Sequence, residues 1–432
     1  MHREHAKTPC TSSNTALLSR IGLLKVHIAR RKRLYTKAET ISQDGKLTSS
    51  AGHALLGGLE KVRVAIAQSA PVFLNKRETI KKAKNLISEA SSNRADLIVF
   101  PEAWIPTYPY WTLAALGKND AKKYIQIMAA LQDNSLRIPS EDTQELCEAA
   151  RSHHIHVVMG CNELGGDGDV PTSRTIYNSL LFINDEGTLL GKHRKLMPTL
   201  DERLVWGQGD GTDLNVYPTR IGRIGGLICW ENHMVLVRAA MILQGEEFHV
   251  AVWPGSWVTD KHLNDPDRDG RYCDLYPAIR EHAFEAGAFV VSAVPFMNPE
   301  QIPSDVPLRE EMLLNVEQAC GGSAVVDPLG NYICGPTFNK EALLYADCSP
   351  ESIKYAKAFF DALGHYARFD VVRLDLRADQ SSPFSETKRR FNRLTPLELR
   401  RLAKKYELDP AKLGEIYDEI TSQETGDSAR GT

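Results

Sequence analysis

Long apolar runs are missing from this 432-residue chain: no stretch approaches the ~18–20 uninterrupted apolar residues of a membrane-spanning helix. An integral membrane protein is thereby excluded. Cysteine is scarce too. Eight thiols, at positions 10, 147, 161, 229, 273, 320, 334 and 348, are too few and too scattered for a disulfide scaffold. No Cys-x-x-Cys and no paired Cys/His spacing of the zinc type occurs, so no metal is expected, and reduced thiols in the cytoplasm are the natural reading. A basic surplus is also lacking in the bulk of the chain. Of 52 basic and 55 acidic side chains, ten and three fall in residues 1–50, so that leader carries +7 and residues 51–432 carry −10. A mildly acidic body argues against nucleic acid as partner.

What is present is ordinary globular material, 42% hydrophobic and 25% charged. The leader contains an amphipathic basic segment, Leu17 to Lys37, in which Arg20 and Lys25 break up any secretory apolar core. It fits an organelle transit peptide only loosely, and a flexible N-terminal extension over 1–60 is the preferred reading. From Lys61 the chain alternates strands and helices. Strands are expected at 62–68, 96–102, 156–163, 176–183, 188–192, 222–230, 248–255, 288–295, 321–328 and 341–347. Helices are expected at 78–90, 141–152, 232–243 and 272–286. Most strands are continuous Val/Ile/Leu/Ala runs, which implies cover on both faces and a layered α/β architecture. Residues 376–393 read as a polar linker. Two short helices follow, one opened by the capping box Thr395-Pro396-Leu397-Glu398 and one by Asp409-Pro410. The expected division is therefore an extension (1–60), a catalytic domain (61–375), and a linker with a C-terminal helical tail (376–432).

In layered α/β folds, side chains at the carboxyl ends of strands line the ligand crevice. Three such ends carry chemistry: Glu102 in DLIVFPEAW, Lys195 in GKHRKLMPT and Cys229 in GRIGGLICWEN. Taken singly, each is more often a cap, a solvated cation or an inert core thiol. Together they supply a base, a cation for a transient anion and a nucleophile, which suffices for addition to an electrophilic carbon without histidine. Cys229 is expected where a strand meets a helix, its thiolate facing the positive end of the helix dipole. Glu202, in PTLDERLVWGQGDG, could orient the lysine or a water. Three decoys are set aside. The acidic run Asp265 to Gly270 has Tyr276 where a calcium loop needs a bidentate Glu. His153, His154 and His156 straddle a helix-to-strand junction. GQGDGTD (207–213) has acids where a phosphate cradle needs backbone donors.

These segments, in this order and spacing, resemble the nitrilase superfamily of carbon–nitrogen hydrolases. The likeness also includes the aromatic stretch after Glu102, HRKLMPT, WGQGDG, WPGSW and, near residue 364, GHYAR. It runs over residues 61–375, and CWEN resembles the true nitrilase branch. One departure is Phe369, where nitrilases commonly carry Pro. The resemblance implies a four-layer α-β-β-α sandwich and a catalytic set of Glu102, Lys195, Cys229 and the additional Glu202. It also implies no cofactor or metal, and subunits that pair and extend into spirals or filaments. The activity implied is hydrolysis of an organic nitrile to acid and ammonia through a cysteine thioimidate and thioester. The alternatives are an amide-releasing hydratase, an amidase, or an inactive assembly-only relative. Trp104, Tyr108, Trp230 and Trp257 are the aromatic candidates for the substrate pocket, against the alternative of core packing.

Overall fold

The computed structural model describes residues 54–112, 121–165, 173–255 and 275–376. Two six-stranded sheets stack face to face. The first runs in the order β12-β1-β2-β3-β4-β5, with β1 (Val62–Gln68), β2 (Leu97–Val99), β3 (His156–Leu164), β4 (Ile176–Ile183), β5 (Leu189–Arg194) and β12 (Ala342–Cys348). The second runs β11-β10-β9-β8-β7-β6, with β6 (Tyr217–Thr219), β7 (Gly222–Ile228), β8 (Phe248–Val252), β9 (Phe289–Ala293), β10 (Gly321–Val326) and β11 (Tyr332–Phe338). Each sheet has a parallel centre, β1-β2-β3 and β7-β8-β9, flanked by antiparallel strands.

The alternation of side chains across a strand explains why both faces of these strands are apolar. Val62, Val64 and Ile66 of β1 join Leu97, Val99, Leu180 and Phe182 in an inter-sheet core with Ile224, Ile228, Val250 and Val252. The intervening Ala65, Ala67 and Ile98 face outward onto Ile80, Ala83 and Ile87 of α1 (Lys76–Ser92) and Leu146 and Ala150 of α3 (Glu141–His153). On the far side, α4 (Val235–Leu243) and α5 (Leu275–Ala286) cover the second sheet through Val237, Met241, Leu275 and Ile279. The result is the α-β-β-α sandwich expected. The helices α2 (Ala121–Asn134), α6 (Arg309–Val316) and α7 (Pro350–Phe359) lie outside the expected set.

The packed body starts earlier than residue 61. Leu55–Gly58 forms a 3₁₀ turn, Leu56 is fully buried in the inter-sheet core, and its N–H donates to Glu247 Oε1 at 2.8 Å. The expected extension therefore overlaps the core by a few residues, because an apolar anchor follows its polar part. The linker beyond residue 376, the two expected C-terminal helices and the acidic run at 265–270 lie outside the described residues. Among the described residues no helix is long and apolar enough to cross a membrane.

Candidate active site

Glu102 follows β2, Lys195 follows β5 and Cys229 follows β7, so the sheet stacking brings three carboxyl-terminal strand ends from two sheets to one point. Gly160 on β3 lets the Glu102 turn come close: a Cβ there would sit 2.0 Å from Pro101 O and 2.9 Å from Glu102 Cα. Lys195 Nζ donates to Glu102 Oε1 at 2.9 Å and to Glu202 Oε2 at 2.7 Å. A carboxylate oxygen of Glu102, one of Glu202 and Cys229 Sγ all lie within 4.8 Å of one another. All four side chains are buried. Glu102 Oε2 is buried and makes no hydrogen bond, whereas Oε1 is held by Lys195 and, at 2.6 Å, by Asn178 Nδ2. One face of the carboxylate is thus fixed and the other is left able to accept a proton.

Burial raises Glu102 to about 7, against the pull of Lys195 and with a further push from Glu202. Cys229 is raised well above the ordinary thiol value, first by burial and then by Glu102, with Lys195 opposing. Burial works against the charge of Lys195, but Cys229, Glu102 and Glu202 outweigh it and hold the ammonium protonated. The resting combination is a neutral thiol beside a carboxyl poised between its two forms and a fixed cation. That set can transfer the thiol proton to the carboxylate as sulfur attacks, and can offset the negative charge that then develops.

The Cys229 backbone differs from the expectation. Cys229 opens a 3₁₀ turn, Cys229–His233, and α4 begins only at Val235, so the thiol does not sit at the start of the α-helix that follows its strand. Its φ of 55° lies in the left-handed region, a conformation that costs a non-glycine residue on the order of 1 kcal/mol and persists only where neighbours impose it. Those neighbours are the next polar residues of the same turn. Glu231 accepts from Ile228 N at 2.9 Å and from Leu196 N at 2.6 Å, tying the residue before the cysteine to the residue after the lysine. His193 Nε2 donates to Glu231 at 3.0 Å and its Nδ1 lies 3.2 Å from Asp213 Oδ1. Burial disfavours a charged His193, but the two carboxylates prevail and lift it to about 10.

Of the aromatic candidates, Tyr108 reaches the cluster: its hydroxyl donates to Glu202 Oε1 at 2.8 Å. Trp104 belongs to the core, with its indole N–H on Ser69 O at 2.7 Å and its ring against Phe100. Trp230 is 42% exposed and meets His233 edge-on. Trp257 lies outside the described residues. Sequence reading missed Asn178, whose carbonyl also receives Lys195 N at 2.8 Å, and Trp206, whose ring lies 5.7 Å from Lys195 Nζ. A lone amide inside the apolar strand IYNSLLFI was the available signal for the first.

The sequence model of the carbon-nitrogen hydrolase family matches residues 63–358. The chain belongs to this family. The hydrolase is 36% identical to nitrilase 1 of Arabidopsis thaliana over 328 residues, covering 72% of this chain and 86% of that protein. It is 35% identical to the bifunctional nitrilase/nitrile hydratase NIT4B of Nicotiana tabacum, covering 76% of this chain and 89% of that one. Among solved structures, Saccharomyces cerevisiae Nit3 of the nitrilase superfamily superposes with a TM-score of 0.54 at 19% identity, covering 72% of the hydrolase and 97% of Nit3. That superposition supports the sandwich fold.

Proposed function

We propose that this hydrolase converts an organic nitrile to the carboxylic acid and ammonia through a covalent intermediate on Cys229. The observation that carries the reading is the buried Cys229–Glu102–Lys195–Glu202 cluster, in which a thiol lies beside a carboxyl raised to about 7 and a fixed ammonium. Glu102 takes the thiol proton as sulfur adds to the nitrile carbon and passes it to the nitrile nitrogen, which gives a thioimidate and restores the carboxylate. Glu102 then activates a water, whose addition gives a tetrahedral species stabilised by Lys195. Expulsion of ammonia leaves a thioester, and a second water releases the acid and restores the thiol. Glu202, bonded to Lys195, Tyr108 and Thr199 N, holds the ammonium in place.

A second product is favoured by one comparison: relatives of this chain carry the name bifunctional nitrilase/nitrile hydratase. If the tetrahedral species expels sulfur before nitrogen, the same residues release an amide. Acid, amide and ammonia measured from aliphatic, aromatic and arylacetonitrile panels, with amides as parallel substrates, separate nitrilase, hydratase and amidase. Absence of turnover across that panel, with Cys229 unmodified, would refute the reading and favour an assembly-only relative. Among the described residues Cys147, Cys161, Cys229, Cys334 and Cys348 are free thiols, which suits a cytoplasmic enzyme. We also propose homo-oligomers, because the α4 region exposes Trp230, Val235 and Leu236, the last two at 68% and 70%.

A further inference from the structure

A second buried polar chain, which the reaction above does not use, reaches the backbone of the nucleophile. Asn232 Nδ2 donates to Cys229 O at 2.8 Å and lies 3.4 Å from Leu227 O. Carbonyls only accept, so the amide nitrogen must face them and Oδ1 must face the other way. Oδ1 lies 2.9 Å from His249 Nε2, and since Oδ1 also only accepts, Nε2 carries a proton. His249 Nδ1 lies 2.9 Å from Glu246 Oε2. The other Glu246 oxygen accepts from His282 Nε2. Glu246 is held at about 2: burial opposes its charge, but the two imidazoles outweigh it. His282 has its Nδ1 buried without a partner and is pushed down to about 4 by burial and by His249, so it is neutral.

We propose that Asn232 is a positioning residue for Cys229, and that His249, held in turn by Glu246, locks the Asn232 amide in the one orientation that holds the Cys229 carbonyl. The cysteine's left-handed φ is the conformation so imposed. Without Glu246 on Nδ1 the His249 ring would lose its fixed orientation, and the amide its anchor. The sequence makes room for this chain. Gly225 on β7 faces Glu246, and a Cβ there would fall 2.5 Å from Oε2. Asn232, His249, Glu246 and His282 are all fully or almost fully buried, so no solvent competes for these bonds.

The inference rests on Cys229 being the nucleophile, and its test separates the two. Iodoacetamide alkylation is followed at the Cys229 peptide by mass spectrometry, alongside kcat and KM for a turned-over nitrile and the melting temperature. Asn232→Leu and His249→Phe are expected to slow alkylation and lower kcat by about 10- to 100-fold, with KM within about twofold, the loss typical of a misplaced reacting atom. Glu246→Gln provides the critical comparison. Its amide can still bond His249 Nδ1 and accept from His282, leaving Nε2–H on Asn232. It is expected to recover at least tenfold of what Glu246→Ala loses. Parent-like alkylation and kcat in Asn232→Leu would overturn the positioning role. A Glu246→Gln no better than Glu246→Ala would overturn the hydrogen-bond assignment, as would one tightly bound metal ion per purified chain in place of these protons. If instead Cys229→Ala keeps turnover, the nucleophile itself is wrong.

Discussion

Replacing Lys195 by methionine keeps most of the length of the side chain and removes its charge, leaving Glu102 and Glu202 facing each other in a buried site. In the parent, burial has already raised Glu102 to about 7, and the charge and the 2.9 Å hydrogen bond of Lys195 are the two largest influences holding it down. Losing a close opposite charge moves a carboxyl by about 1–3 units. A shift of about two units cuts the ionised base roughly 100-fold at pH 6, since each unit is a factor of ten. Loss of the cation beside the developing anion removes about a further 10²–10³, independent of pH. The acid limb of kcat/KM should therefore move from near pH 7 in the parent to higher pH, with only part of the activity returning there. Stability follows the same charges. A group whose folded value is raised, as for Glu102, stabilises at low pH, and that contribution is lost as pH rises from about 4.3 through the folded value. Stranding two carboxylates without their cation costs about 3–5 kcal/mol at pH 8 and less towards pH 5, where Glu102 carries a proton. Stopped assays of kcat/KM from pH 5 to 9 and urea melts at the two extremes measure both effects. An acid limb unchanged in Lys195→Met would refute the argument that Glu102 is the titrating base held by Lys195.

Three further outcomes follow from the contacts. Glu231→Gln can no longer accept from Ile228 N, Leu196 N and His193 together, so kcat should fall about 10- to 100-fold; a parent-like kcat with a reduced melting temperature would make Glu231 purely structural. Trp104→Phe loses the indole bond to Ser69 O and should cost about 1–3 kcal/mol in denaturant melts while leaving KM unchanged across a substrate panel. A shift in substrate preference would return Trp104 to the pocket. The double change Val235→Asp and Leu236→Asp should reduce the assembled mass in light scattering if α4 lies at a subunit contact.

Most of the layered fold was legible because buried parallel strands leave continuous apolar runs, as in VRVAIAQ and FHVAV, with few polar breaks to obscure their limits. β11 was missed because YICGPTF is half exposed and interrupted by Gly335-Pro336, which carries neither alternation nor a long run. The α2 and α6 helices escaped for a related reason: each buries only two side chains, so little apolar periodicity shows. Within the site, Glu102, Lys195 and Cys229 were legible as strand ends, and Glu202 as an acid in the loop shortly after the lysine. Their supports were not. Asn178, His193, Glu231, Asn232 and His249 look like isolated polar residues until stacking the sheets sets their partners, and a lone polar residue in a strand does not say what it will face. The expected helix dipole at Cys229 failed because the Glu231 and Asn232 side chains bond back to Ile228 N and Cys229 O, favouring a tight 3₁₀ turn before α4 begins.

Covalent chemistry at Cys229 is the central claim, and acid-quenched intact-mass and peptide mass spectrometry during turnover tests it directly. With a slowly hydrolysed nitrile, the protein should gain the mass of the substrate's thioimidate or acyl group on the Cys229 peptide, and Cys229→Ala should gain none and lose turnover. An adduct on another residue, or turnover retained by Cys229→Ala, would contradict the account.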